Sequence, residues 1–442
     1  MGKRRDPRRP TPDLNLRPNR PSSSSSSRSP RRTSDSTSHQ DRKLVIFVFL
    51  VAVLSPAISV IVYRLKFASP IVDGRRMPYV EHRRLVKTDI NYKEILTENS
   101  NYSENTTDKH FPLPVLAYIT PWNSRGYDLA KIFNSKFTHL SPVWYNLKSQ
   151  GGSLILEGRH DADVGWISEI RSLGQAQLLP RIVLEAAPLE YLIEKEKNGA
   201  KVIDLIVEEC MEMEYDGIVL ESWSRWAAFG ILHDPFIRSA ALGFIEQLGE
   251  ALHSITSRRT KKKLQLFYVI GPPHSDKLQE YDFGPNDLQS LSEAVDGFSL
   301  MTYDFSSPQN PGPNAPLNWI RSTLQLLLGS SNANARKNSG HKVFVGINFY
   351  GNDFMLSGGL GGGAITSREY LHLLEQQKPA LQWEKNSAEH FFIYSDVNGV
   401  SHAVFYPSLK SLSVRLEEAR LWGVGISIWE IGQGLDYFLD LL

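Results

Sequence analysis

The sequence predicts an α/β fold: an eight-stranded parallel βα (TIM) barrel with a small inserted β-rich subdomain, preceded by a disordered tail and one transmembrane helix. Two observations carry the barrel. From Val115 onward, short β-branched and aromatic runs alternate with longer amphipathic stretches, the mark of repeated parallel βα units. The strand candidates are Val115 to Ile119, Thr138 to Trp144, Leu178 to Leu184, Gly217 to Glu221, Leu264 to Ile270, Gly297 to Met301, Val343 to Phe349 and Gly425 to Trp429. Helical stretches lie between them, among them Asp163 to Leu173, Leu189 to Met213, Phe236 to Ser257, Asn318 to Leu328 and Ser408 to Leu421. Open doubly wound sheets share this alternation. They place a glycine-rich phosphate loop after the first strand, where this chain has Thr120-Pro121-Trp122-Asn123.

The insertion is expected at about 351–407, an interval too long for a helix alone. It holds a glycine-rich loop (Gly358, Gly359, Gly361, Gly362, Gly363), read as a flexible lid or connector. It also holds a hairpin-like pair, Phe391 to Tyr394 and Val400 to Tyr406, around Asp396-Val397-Asn398-Gly399. Asn-Gly between β-prone runs is a strong hairpin cue, because both positions of a tight hairpin turn favour positive φ.

The segments before the barrel differ in composition. The chain has 442 residues and a formal net charge of +1, which gives no whole-protein case for nucleic acid. Residues 1–43 concentrate arginine and a Ser22-to-Ser27 run and lack the apolar side chains needed for a core, so they read as a disordered basic cytoplasmic tail. Residues 44–62, LVIFVFLVAVLSPAISVIV, carry no charge and are long enough to span a bilayer, so they are the expected membrane contact. Basic residues before the run favour a type II signal-anchor with the barrel lumenal or extracellular. The cluster of Arg64, Lys66, Arg75, Arg76, Arg83 and Arg84 after it argues the other way. A cleaved signal peptide ending near Ala57 is the alternative. Residues 63–112 read as a polar stalk, in which Asn101-Tyr102-Ser103 and Asn105-Thr106-Thr107 are glycosylation acceptors. The single cysteine, Cys210, excludes an intramolecular disulfide and reads as a small buried apolar residue. Lys261-Lys262-Lys263 reads as a solvated loop, and the histidines show no metal-ligand spacing; no cofactor is expected.

In such a barrel the chemistry sits at the carboxyl ends of the strands. The candidates are Tyr118 and Trp122 after strand one, Trp144 after strand two, Glu185 after strand three, and Glu221 and Trp223 after strand four. Met301, Tyr303 and Asp304 follow strand six, Tyr350 strand seven, and Trp429 and Glu430 strand eight. Each tryptophan has two readings, a core residue or a sugar-stacking platform.

Five of these stretches resemble family 18 glycoside hydrolases, the chitinases and their relatives, beginning with Tyr118 and Trp122, which fit the Gly-Tyr-x-x-x-Trp look of the first strand with Ala117 for Gly. Asp216-Gly217-Ile218-Val219-Leu220-Glu221-Ser222-Trp223 resembles the signature Asp-Gly-x-Asp-x-Asp-x-Glu, with Val219, Glu221 and Trp223 replacing the second Asp, the third Asp and the Glu. Met301, Tyr303 and Asp304 match the Met-x-Tyr-Asp strand. Trp429 matches the eighth-strand Trp, and Gly346 to Gly351 resembles Gly-x-x-Phe-Tyr-Gly. The resemblance runs in order over 115–442. It implies a sugar cleft in which Tyr303 contacts an N-acetyl group, Met301 and Asp304 line the pocket and Trp429 floors the reacting-sugar subsite. With its lost acid and amino-terminal anchor, the chain most resembles the chitinase-domain-containing group of chitinase-like lectins.

In that family the substrate's own N-acetyl oxygen is the nucleophile and the last Glu protonates the leaving oxygen. An indole cannot do so, so no catalytic residue is expected at Trp223. Residues 219, 221 and 223 would share one strand face by period two, with Glu221 one pleat, roughly 6 to 7 Å, deeper than the family acid. Its extra methylene recovers only about 1.5 Å. Glu221 is therefore either a buried carboxylate hydrogen-bonded to Tyr303 or another neighbour, or the acid of an altered hydrolase pairing with Glu185, Asp304 or Glu430. The expected partners are an oligosaccharide or a glycoprotein glycan; a protein-interaction scaffold with a vestigial cleft is the third reading.

Overall fold

A computed structural model describes residues 77–150, 153–184, 196–329, 342–357 and 361–442, with a few short stretches before residue 77. Residues from Ser69 to Leu442 form one compact unit. Eight parallel strands make a ring: β1 (Val115–Ile119), β2 (His139–Pro142), β3 (Gln177–Leu178, continued by Arg181–Val183), β4 (Gly217–Glu221), β5 (Gln265–Ile270), β6 (Gly297–Leu300), β7 (Val343–Asn348) and β8 (Gly425–Trp429). β3 closes it. Its leading segment pairs with β2 (Leu140 opposite Leu178) and its trailing segment with β4 (Ile182 opposite Leu220). Pro180, which has no N–H to donate, stands at the break between these segments. β8 joins β7 on one side and β1 on the other.

Strand periodicity decides what faces the axis. Leu116, Tyr118, Leu179, Val219, Phe267, Val269 and Phe344 pack together inside the ring, with Met301 and Trp429 against them. The alternate residues, such as Ala117, Ile119, Ile218 and Leu220, join the larger core between ring and helices. Gly217 shows why the signature strand begins with glycine: its φ is +147°, and a Cβ there would lie 2.1 Å from the Gln265 carbonyl oxygen.

The helices start where capping chemistry permits. The Asp163 carboxylate accepts from the Gly165 and Trp166 amides ahead of Val164–Leu173, and Ser408 accepts from Ser411 N–H ahead of Leu409–Trp422. Asp234 caps Pro235–His253, with proline at the first helical position. Between β7 and β8 lies an antiparallel sheet in the order 362–365, 351–355, 401–406, 389–395, 382–384, with helix Ser367–Gln377 beside it in sequence. The expected Asn-Gly hairpin is its centre: Glu389–Ser395 pairs with Ser401–Tyr406, and Gly399 takes φ +77° in the turn.

Three expectations need correction or lie elsewhere, and one element was not expected. The polar stalk does not hold for residues 77–112. Val80, Leu85, Ile90, Ile95 and Phe111 are buried in the main core, and Asp440 accepts from the Val80 and Ser103 amides. The apolar residues are there in sequence, spaced among the polar and charged residues that dominate the composition. The glycine-rich stretch is an edge strand over its described residues, Gly362–Ile365 paired with Gly351–Met355; residues 358–360 lie outside the described residues. The candidate span 44–62 falls almost wholly outside them too, and among the described residues no helix is long and apolar enough to cross a membrane. An unforeseen hairpin, Tyr145–Gln150 with Ser153–Glu157, follows β2. The Gly151-Gly152 dipeptide is its sequence signal.

Cys210 is buried, and burial raises its thiol pKa. Lys261, Lys262 and Lys263 lie in the loop before β5, all three exposed.

Candidate functional site

The carboxyl ends of the strands bring Tyr118, Glu221, Met301, Tyr303 and Trp429 to the mouth of the ring, together with a residue that belongs to none of the motifs, Arg181. Leu179 faces inward, so Arg181 on the same strand does too. Its register partner across to β4 is Val219, one pleat below Glu221. The guanidinium reaches up to form an ion pair with the Glu221 carboxylate; the two side chains are 12% and 7% exposed. It also lies over Trp429, 5.0 Å from the ring centroid, a cation–π contact in a poorly hydrated place. Tyr118 flanks Trp429 with ring centroids 5.3 Å apart and donates to Ser299 Oγ at 2.8 Å. Burial pushes the Tyr118 hydroxyl up to about 12, so it remains a donor at neutral pH.

Glu221 is thus the buried carboxylate of the first alternative, and its partner is Arg181 in place of Tyr303. Its carboxylate oxygen is engaged by the Arg181 guanidinium. The signal for Arg181 is plain in the sequence: it is the one charged residue between Leu178 and Leu184.

Trp223 departs from its expected place. β4 ends at Glu221, Ser222 turns the backbone (φ −151°, ψ −36°), and Trp223 opens the short helix Trp223–Ala228. Period-two alternation therefore does not carry Trp223 onto the inward face with Val219 and Glu221. Its ring is buried, its Nε1–H donates to the Tyr281 carbonyl oxygen at 3.2 Å, it meets Phe283 edge-on at 5.1 Å, and Arg238 lies 4.9 Å above it.

Beside the axis, over the ends of β4, β5 and β6, is a cavity of about 450 Å³. Trp223 and Phe283 form one wall, Met301 and Asp304 another, and Phe305 and Trp319, with ring centroids 5.1 Å apart, a third. His274 and Asp282 also line it: Asp282, buried, lies 2.6 Å from His274 Nδ1 and accepts from the Gln279 amide. Asp304 sits at φ +60° with its amide donating to Asn314 Oδ1 at 2.8 Å. Its carboxylate accepts from the Tyr350 hydroxyl, and burial raises its pKa despite that bond. Tyr303 faces Tyr350 with centroids 6.4 Å apart.

The remaining candidates are scattered. Trp144 is buried, donates through Nε1 to the Tyr127 hydroxyl at 2.7 Å and packs on Tyr145, Trp166 and Tyr215. It is a core residue behind the ring and offers no face to a sugar. Trp122 stands 64% exposed in the turn after β1. Glu185 lies outside the described residues. Glu430 is fully buried, accepting from Asn123 Nδ2 at 2.8 Å and the Gly432 amide at 3.0 Å, and loss of hydration pushes its carboxyl up to about 7. It clamps the β1 and β8 loops and contributes nothing to the mouth. Among the described residues no group of three or more His, Cys, Asp or Glu is placed to hold a metal ion.

Comparison with known proteins agrees with this architecture. The profile for glycosyl hydrolases family 18 matches residues 114–434. An uncharacterized glycosylase, YvbX, of Bacillus subtilis is 26% identical over 207 residues, 46% of this chain and 56% of that protein. The cortical fragment-lytic enzyme of the same organism is 24% identical over 204 residues, 45% and 44% of the two chains. The chain thus spans about half the length of these curated relatives. A chitinase from Chromobacterium violaceum superposes with a TM-score of 0.60 at 19% identity, over 74% of this chain and 97% of the other, a likeness of fold. With the profile covering the whole ring and its insertion, the chain belongs to the glycosyl hydrolases family 18.

Proposed function

We propose that this protein is a chitinase-like carbohydrate-binding protein: it recognises N-acetylglucosamine-type oligosaccharides or the glycans of a glycoprotein and does not hydrolyse them. One observation carries this reading: β4 presents a single inward carboxylate at the mouth, and that carboxylate is ion-paired to Arg181, while the residue at the acid's sequence position is a tryptophan turned into a helix. Positioned acid catalysis contributes about a hundred- to ten-thousand-fold, and neither residue supplies it. The aromatic walls and few convergent polar groups around the mouth suit a sugar, with affinity in the range of about micromolar to millimolar for a shallow site.

Calorimetry with chito-oligosaccharides tests binding, and turnover of a chromogenic chitobioside tests catalysis. Heat without turnover is expected. Turnover abolished by Glu221→Gln in a folded protein supports the hydrolase reading instead. Trp223→Glu is expected to restore nothing, because position 223 lies on the helix wall; it loses about 3 kcal/mol or more of stability by placing a carboxylate among Phe283 and Tyr281. The relatives' names, glycosylase and cortical fragment-lytic enzyme, support a carbohydrate as the ligand.

The same proposal includes an anchor through 44–62 with the barrel lumenal or extracellular, and glycans on Asn101 and Asn105. Asn101 is exposed and Asn105 half-buried on the surface segment before β1. A mobility shift on glycosidase treatment, lost in the double Asn→Gln variant, is the expected outcome.

A further inference from the structure

The axis and the flank of the mouth differ in what they offer a ligand. At the axis, space is taken by the Arg181–Glu221 pair and the rings of Trp429 and Tyr118. A sugar entering there must separate a buried pair of opposite charges and lift a guanidinium from an indole face, and it returns only neutral hydroxyl hydrogen bonds. Breaking such a pair is costly because each charge is left without its partner in a poorly hydrated place. The flank cavity requires no such rearrangement. Its volume, about 450 Å³, falls within the range of small-ligand pockets, roughly 300 to 1,000 Å³.

The flank cavity has both kinds of group that sugar recognition needs. Phe305, 47% exposed, and Trp319 offer π-faces to the C–H face of a pyranose. In the same lining, His274, held at Nδ1 by buried Asp282, has its second ring nitrogen available for a hydroxyl, and Asp304 supplies an acceptor oxygen. Among the described residues the lining contains neither lysine nor arginine. Its charge complements a neutral or amino-bearing sugar and opposes a carboxylate-bearing one.

We infer that the glycan seat of this protein is the flank cavity over β4, β5 and β6, that it takes a terminal hexosamine, and that Arg181, held by Glu221 over Trp429, is the specificity-determining plug that closes the axial seat. This rests on the carbohydrate-binding reading proposed above and adds where the sugar sits and which sugars are refused.

The test is calorimetric titration of the full chain in detergent micelles with chitobiose and, separately, with 3′-sialyllactose as an anionic sugar. Chitobiose binds the wild type and sialyllactose at least tenfold more weakly. Phe305→Ala and Trp319→Ala each raise the chitobiose Kd at least tenfold. Phe305 is half exposed, so its variant keeps the fold even if Trp319→Ala does not. Ala227→Trp, which fills the cavity from the short helix, abolishes binding. A Trp429→Leu effect larger than that of the cavity variants, or tighter binding of sialyllactose than of chitobiose, overturns the seat while leaving carbohydrate binding intact. No heat from either sugar with the wild type overturns both.

Discussion

One strand carries two carboxylates, each paired with an arginine, and the two ends of β4 use the same chemistry differently. At the amino end, Asp216 is fully buried. It accepts from the Leu178 amide at 2.9 Å and from Ser257 Oγ at 3.5 Å and is ion-paired with Arg259. It ties β3, β4 and the loop before β5 together. At the carboxyl end, Glu221 is paired with Arg181 beneath the mouth, with Trp429 covering the arginine. The first pair is built into the backbone network. The second joins inward side chains of two neighbouring strands, β3 and β4. A buried acid within a family signature is therefore not evidence of catalysis; its partners decide what it does. Glu430 extends the series, since it accepts amide hydrogens and no cation among the described residues pairs with it.

This comparison can be broken from its strongest end. Asp216→Ala removes the partner of Arg259 and leaves the Leu178 amide without its acceptor. We expect a loss of about 3 to 5 kcal/mol, read as a lower midpoint in urea unfolding. Arg181→Met leaves Glu221 buried and unpaired, costing about 3 kcal/mol at neutral pH. The double variant Arg181→Met with Glu221→Gln is expected within about 1 kcal/mol of wild type, since replacing a buried ion pair by well-packed neutral groups is often close to neutral. The corresponding double replacement of Asp216 and Arg259 stays destabilised, because Leu178 N–H still lacks its partner.

Glu430 gives a smaller, pH-dependent effect. Its folded pKa, about 7, lies above the ordinary carboxyl value of 4.5. Between these values the unfolded chain has released its proton and the folded chain has kept it, so stability falls as pH rises through that window and levels off above it. Allowing for relaxation around the buried group, the fall is about 1 to 3 kcal/mol. Glu430→Gln should flatten a Tm profile between pH 4.5 and about 7. A profile in which wild type gains stability over that interval contradicts the buried, cation-free environment of this carboxyl.

Much of the ring was legible because parallel strands buried on both faces produce uninterrupted apolar runs; β1, β4 and β8 fall where those runs predicted. The inserted sheet was legible from Asn398-Gly399. What escaped was non-local. Val80, Ile90 and Ile95 pack into the core only because the chain's carboxyl-terminal segment, with Asp440, comes back to receive them, and composition cannot show that. Arg181 reads as an anomaly in an apolar strand, yet its meaning depends on the register that sets it one pleat below Glu221. Trp223 was misplaced because alternation was carried past the end of the strand, and the turn at Ser222 has no glycine or proline to announce it. The flank cavity draws Tyr281, Phe305 and Trp319 from three separate segments, so no local pattern could assemble it.

The central claim is binding without cleavage, and it is tested most directly by incubating the full chain, at a concentration equal to that of chitotetraose, and weighing the sugar by mass spectrometry after calorimetry has registered binding. The account predicts a binding isotherm and intact tetrasaccharide at all times. Shorter oligosaccharides produced by the wild type and absent with Glu221→Gln would contradict it.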